Sequence, residues 1–325
     1  MDVPADSPAT PVILDCDPGH DDAFAILLAA ANPRIDLRAI TTVAGNQTLD
    51  KTSLNARRVC ALAGITDVPI AAGCAQPLER ELVVAAHVHG ETGLDGTTFP
   101  DPTVELEPVH AVDLMHEMLG GLSGRTTIVA VGPLTNVATL LRRHPEDAGR
   151  IERIVIMGGS TGRGNVMPYA EFNVYVDPEA AAEVLRGGVS TVWHGLNVTH
   201  QARATPDVVE RIAALATPLA ATCVELLRFF NARYRERYGI DGAPVHDPVA
   251  VAHVIDPTVV TGTAAPMQIE VESEITRGAT VIDLDHRTSW GPPVHVATTL
   301  DQQRFWDMLI DAIDVLGRRR VMASS

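Results

Sequence analysis

Between residues 12 and 194, short apolar runs alternate with longer helix-compatible stretches, and this alternation is what most limits the fold. Residues 12–15 read as a strand and 21–32 as a helix. Residues 37–43 read as a strand, and 49–63 as a helix closed by Gly64. The rhythm continues with a strand at 126–131, a helix at 134–144, a strand at 154–157, a helix at 178–186 and a strand at 191–194. Apolar strands separated by helices need cover on both faces, which predicts an α/β fold with an open, mostly parallel sheet. The last third changes character. Two adjacent helices fill 206–238, another starts after Asp247, and the alternating segments 267–271 and 294–298 predict antiparallel edge strands. The 325 residues show no repeat and no linker. One domain over 12–316 is expected, between a loose acidic N-terminal tail at 1–11 and a C-terminal tail at 317–325.

In open α/β sheets, ligands sit beyond the carboxyl ends of the strands. At the first such place stands DCDPGHDDA, with Asp15, Asp17, Asp21 and Asp22 inside eight positions and no Lys or Arg before Arg34. Pro18 and Gly19 force a turn there. Acidic residues at a helix start are favoured by the dipole, by about 0.3–1 kcal/mol each. That explains Asp21 and Asp22, and an N-cap explains one more. It does not explain four carboxylates converging without a cation, because crowded like charges oppose each other's ionisation. A hard divalent cation is the simplest countercharge.

Other candidates are more ambiguous. Asn165, Glu171 and Asn173 follow the fourth strand-like run, either as solvated loop groups or as partners for ligand hydroxyls. The loop GGSTGRG does not have GxGxxG spacing. Asp247, before Pro248, reads first as an ordinary helix cap, and His246 beside it as a proton donor or a packed histidine. His87 and His89 resemble half of a zinc motif whose other half is missing, so a loop histidine is the plainer reading. Asn197-Val198-Thr199 and Asn46-Gln47-Thr48 match a glycosylation pattern but carry no weight without a secretory signal.

A net charge of −16 gives no footprint for nucleic acid or anionic membrane. The nine-residue apolar run at 23–31 is too short to cross a bilayer. Four scattered cysteines without CxxC suit reduced thiols in a cytoplasmic protein.

Six motifs, in order, resemble the nucleoside hydrolases of the inosine–uridine-preferring type: DCDPGHDDAFAIL, ITTVAGNQT, VGPLTNVA, MGG, EFNVYVDPEAA and VHDPVAVAHVIDP. The resemblance implies a Rossmann-like nucleoside hydrolase fold, one Ca²⁺ per subunit, a ribonucleoside as substrate, and a homodimer or homotetramer. It implies that Asp17, Asp22, Asp247 and the main-chain oxygen of Val131 hold the metal. Asp21 and Asn173 would hold the ribose 2′- and 3′-hydroxyls, and Asn46 would orient the ribose. Asn165 and Glu171 would hold the 5′-hydroxyl, with Met157 lining the pocket. Asp17 would act as general base and His246 as the acid for the leaving base. Asp15 would order the turn, and His89 and Tyr234 would contact the base. Asn197 stands where relatives often have Asp. Two other readings remain at this point: a haloacid-dehalogenase-like phosphatase, disfavoured by Gly19 two places after Asp17, and a calcium-dependent sugar-binding protein without catalysis.

Overall fold

The computed structural model describes residues 8–121 and 124–324. Its first half follows the βα rhythm: β1 (Thr10–Cys16), α1 (His20–Ala31), β2 (Ile35–Thr42), α2 (Leu49–Ala63) and β3 (Ile70–Ala72). A long connection holds the short α3 (Ala86–His89) and leads to α4 (Ala111–Gly121). Next come β4 (Thr126–Ala130), α5 (Thr135–Arg143), β5 (Ile151–Met157), α6 (Phe172–Val176), α7 (Pro178–Arg186), β6 (Thr191–His194) and α8 (Leu196–Thr199). The last third contains α9 (Pro206–Ala213), α10 (Pro218–Tyr238), α11 (Pro248–Ile255), β7 (Val260–Ile269), β8 (Thr280–Ile282), β9 (Pro293–Leu300) and α12 (Gln302–Ser324). Gly64 ends α2 in the left-handed conformation, its N–H reaching back to the carbonyls of Ala61 and Cys60.

All nine described strands form one sheet in the order β3-β2-β1-β4-β5-β6-β9-β7-β8. The chain winds outward from β1 to β3 on one side and from β4 to β6 on the other. The strand order therefore reverses between β1 and β4, opening a crevice at their carboxyl ends. Strand alternation splits the core in two. Val12, Leu14 and Cys16 pack with α1, α2 and α9 to α12, while Ile13 packs on the other face with α4, α5 and α7.

Three expectations change. The segment at 294–298 is not an antiparallel edge strand: β9 lies inside the sheet, parallel to β6 and antiparallel to β7, and the edge falls to β8. The segment expected as a C-terminal tail at 317–325 is helical through Ser324 as the end of α12, with Arg318, Arg319 and Arg320 exposed on its last turns. The N-terminal tail expected at 1–11 lies outside the described residues for 1–7, and its last two residues already belong to β1.

Candidate active site

The turn after β1 is held by its own carboxylates. Asp22, in the first turn of α1, accepts from the backbone N–H of Asp17 at 3.0 Å and of Gly19 at 2.9 Å. Across the crevice, the loop after β2 supplies Asn46. Its N–H donates to Asp17 Oδ2 at 2.6 Å, and its amide donates to Asp17 O at 3.2 Å and Asp22 Oδ2 at 3.1 Å. Asp17 Oδ1 is buried and has no hydrogen-bond partner among the described residues. Two glycines make room for this carboxylate. A Cβ at Gly45 would stand 2.2 Å from Oδ2, and one at Gly132 would stand 2.6 Å from Oδ1. Asp15 is tied elsewhere: Thr41 Oγ1 and Asn136 Nδ2 donate to its Oδ1 at 2.7 and 2.8 Å.

Asp247 reaches the same place from the start of α11. It occupies the cap position, but its side chain makes no capping bond, so the capping reading is corrected. One carboxylate oxygen each from Asp21, Asp22 and Asp247 lie within 4.8 Å of one another. Asp17 is outside that triad, although it is close enough for Asp22 and Asp21 to oppose its ionisation. Burial and mutual repulsion push Asp17 and Asp247 well above the carboxylate range, and Asp21 up to about 8. Three buried, proton-hungry carboxylates with hard oxygen donors are a set that could hold a cation.

The carboxyl ends of β4 and β5 form the neighbouring wall. Asn173 Nδ2 donates to the carbonyls of Val131, at 2.8 Å, and Met157, at 3.2 Å. Both donors of the amide are thereby engaged, and its oxygen remains available as an acceptor. Glu171 caps α6, accepting from the N–H groups of Asn173 and Val174, and a third bond comes from Gly159. Burial nevertheless raises it to about 7. Asn165 accepts from Phe172 N at 2.9 Å.

Asp21, Asn46, Asn165, Glu171, Asn173 and Asp247 line one cavity of about 60 Å³, together with His89, Phe230, Tyr234, Tyr238 and His246. No lysine or arginine is in its lining, and it adjoins a wider space of about 650 Å³ beside the 160–168 loop. Of the residues expected from the sequence, Asp21, Asn46, His89, Val131, Met157, Asn165, Glu171, Asn173, Tyr234, His246 and Asp247 all line the cavity, whereas Asp17 and Asp22 are fully buried and do not line it. Asn197 does not: its amide donates to the Ala297 carbonyl in β9.

The histidines are more constrained than the sequence suggested. His89 is not a loop residue but ends α3, buried against Phe230. Its Nδ1 accepts from the backbone N–H of His20 at 3.2 Å, so its Nε2 carries the proton. His20 stacks with the rings of Phe229 and Phe230, its Nε2 2.9 Å from the Asp95 carbonyl. His246 is bonded on both sides, by Thr199 Oγ1 at Nδ1 (2.7 Å) and by the Tyr234 hydroxyl at Nε2 (3.1 Å). Sequence reasoning missed His20, Asp95, Gly45, Gly132 and Thr199. Thr199 had entered only as the third residue of a glycosylation pattern.

Known proteins place this architecture. A family model described as inosine-uridine preferring nucleoside hydrolase matches residues 12–307. A pyrimidine-specific ribonucleoside hydrolase, RihA, of Shewanella sp. (strain ANA-3) is 46% identical over 306 residues, which is 94% of this chain and 96% of that one. Among solved structures, a plant nucleoside hydrolase, PpNRh1, aligns with a TM-score of 0.88 at 33% identity, covering 94% of this chain and 99% of the other. A purine-preferring ribonucleoside hydrolase from Gardnerella vaginalis aligns with a TM-score of 0.89 at 31% identity, covering 95% and 100%. With motifs, fold and family model in agreement, the chain is a hydrolase of N-glycosyl bonds and belongs to the inosine-uridine preferring nucleoside hydrolase family.

Proposed function

We propose that the protein hydrolyses the N-glycosidic bond of ribonucleosides, with uridine and cytidine preferred, and that Ca²⁺ is its cofactor. The observation that carries the metal reading is Asp17 Oδ1, buried and unpartnered beside three converging carboxylates. A buried carboxylate oxygen left without a partner is costly unless something positive meets it. Asp17, Asp22, Asp247 and the Val131 carbonyl are hard oxygen donors, which suit Ca²⁺. A bound Ca²⁺ would offset their charge and lower the pKa of a water molecule.

The residues divide the remaining work. Asp17 accepts the proton of the attacking water. Asp21 and the Asn173 oxygen hold the ribose 2′- and 3′-hydroxyls, Asn46 orients the ring, and Asn165 and Glu171 hold the 5′-hydroxyl. The concentrated negative charge stabilises the oxocarbenium-like state in which such bonds break. On the base side, His89 and the Tyr234 hydroxyl, the latter backed by His246, supply hydrogen-bond donors for electron density gathering on the leaving base. A pyrimidine preference is supported by the name of the 46%-identical relative and by the tight aromatic group of Phe230, Tyr234 and Tyr238.

The test is ribose release across uridine, cytidine, inosine and adenosine, with uridine monophosphate as control. The expected order places the two pyrimidine nucleosides first and the nucleotide last. Faster hydrolysis of purine nucleosides would reverse the base assignment. Release of phosphate from the nucleotide without ribose release would overturn the glycosidase reading.

A further inference from the structure

We propose that Thr199 is a positioning residue of this reaction: its hydroxyl donates to Nδ1 of His246 and fixes the imidazole as the Nε2–H tautomer. The inference rests on the hydrolase reading above and adds a residue to it. Thr199 ends α8, just beyond β6, and its side chain is fully buried. Its Oγ1 lies 2.7 Å from His246 Nδ1 and has no other hydrogen-bond partner among the described residues.

That isolation sets the direction of the bond. A neutral imidazole has one N–H and one lone pair, and a hydroxyl has one proton and two lone pairs. If Nδ1–H donated to Oγ1, the hydroxyl proton would be buried without an acceptor. If Oγ1–H donates to Nδ1, only spare lone pairs are left over. An unpaired buried donor is the more costly of the two, so the threonine donates. The imidazole proton is then on Nε2.

The consequence reaches the cavity through Tyr234. With Nε2 protonated, His246 donates to the Tyr234 oxygen 3.1 Å away, and the phenol's own proton is left to point at the substrate. In the other tautomer, Nε2 is an acceptor, Tyr234 donates inward to it, and the leaving base meets a lone pair. Thr199 therefore decides whether the Tyr234 hydroxyl offers its proton to the base side of the cavity, without touching substrate itself. The backbone of His246 is held independently, its N–H donating to Asp21 Oδ2 at 3.3 Å.

Two variants separate this role from packing. Thr199→Val keeps the shape and removes the hydroxyl, whereas Thr199→Ser keeps the hydroxyl and loses a methyl group. At saturating Ca²⁺, Thr199→Val is expected to lower kcat on uridine on the order of 10–100-fold. KM should change little. Hydrolysis of p-nitrophenyl riboside, whose leaving group departs without a proton, should fall much less. Thr199→Ser should restore uridine turnover. Imidazole ¹⁵N shifts, with His246 assigned by comparison with His246→Asn, should report Nε2–H in the wild type and its loss or mixing in Thr199→Val. Wild-type turnover of uridine by Thr199→Val, equal losses on both substrates, a serine variant as impaired as valine, or an Nδ1–H imidazole in the wild type would each overturn the proposal. A wild-type chain that releases no ribose from any nucleoside would instead overturn the hydrolase reading, while the ¹⁵N spectrum still decides the tautomer.

Discussion

Asp17 and His246 carry the opposite ends of the proposed proton inventory, and single substitutions separate them. Asp17→Asn keeps the size of the side chain and replaces a base and anionic ligand with a neutral amide. Turnover of uridine should fall by about 10²-fold or more with far-ultraviolet circular dichroism unchanged. Retention of most activity would remove Asp17 as the base. His246→Ala should slow inosine and uridine hydrolysis on the order of 10²–10⁴-fold, but p-nitrophenyl riboside much less. A parallel fall on all three would mean that His246 only supports its neighbour Asp247. At this scale the sequence was informative where carboxylates cluster locally, as in the turn from Asp15 to Asp22. It was silent where a role depends on a distant partner. Nothing around Thr199 announces an imidazole 47 positions away, and nothing around Gly132 announces the Asp17 carboxylate pressed against it.

Elements place these groups, and their order explains what could be read in advance. Strands β1, β4, β5 and β6 were legible because each is an apolar run followed by a helix. The three-residue β3 was missed because it is too short to show a period. Strand β9 was misplaced because alternation shows which face is buried and not which neighbours pair with it. One contact between elements has a measurable cost. His194, at the end of β6, donates from Nδ1 to the Ile156 carbonyl at 3.2 Å, so its Nε2 accepts from Nδ1–H of His253 in α11 at 2.7 Å. Burial, with Arg153 and His295 nearby, lowers His253 from 6.5 to about 4. The unfolded chain therefore binds the proton more readily. This contribution to stability is present above pH 6.5 and is lost as pH falls through about 4. His253→Asn retains a donor near the Nδ1 position and does not titrate. Its Tm should drop less than that of the wild type between pH 7 and pH 4.5, and an equal drop would show that this pair is not the acid-sensitive contact.

Across the whole molecule, one crevice concentrates charge in a chain that already carries a net −16. Burial raises Asp21 to about 8, and Asp15 and Glu171 to about 7, from unfolded values near 4. In the metal-free chain these groups contribute stability at low pH that is lost as pH rises through 7 and 8. A cation competes with those protons, so the Tm gained on adding Ca²⁺ to the chelated protein should grow from pH 6.5 to pH 8.5. A gain independent of pH would place Ca²⁺ elsewhere. The central claim, that this carboxylate crevice is a calcium-dependent ribosyl hydrolase site, is tested most directly by ribose release from uridine and 2′-deoxyuridine. The measurement uses protein stripped to a verified metal-free state, before and after adding Ca²⁺. The expected result is no release before Ca²⁺. After it, release should be rapid from uridine and slower from the deoxynucleoside, because Asp21 loses its hydroxyl partner, at a cost of about 1–3 kcal/mol. Full activity in the metal-free protein, or equal kcat/KM on the two nucleosides, would contradict the account.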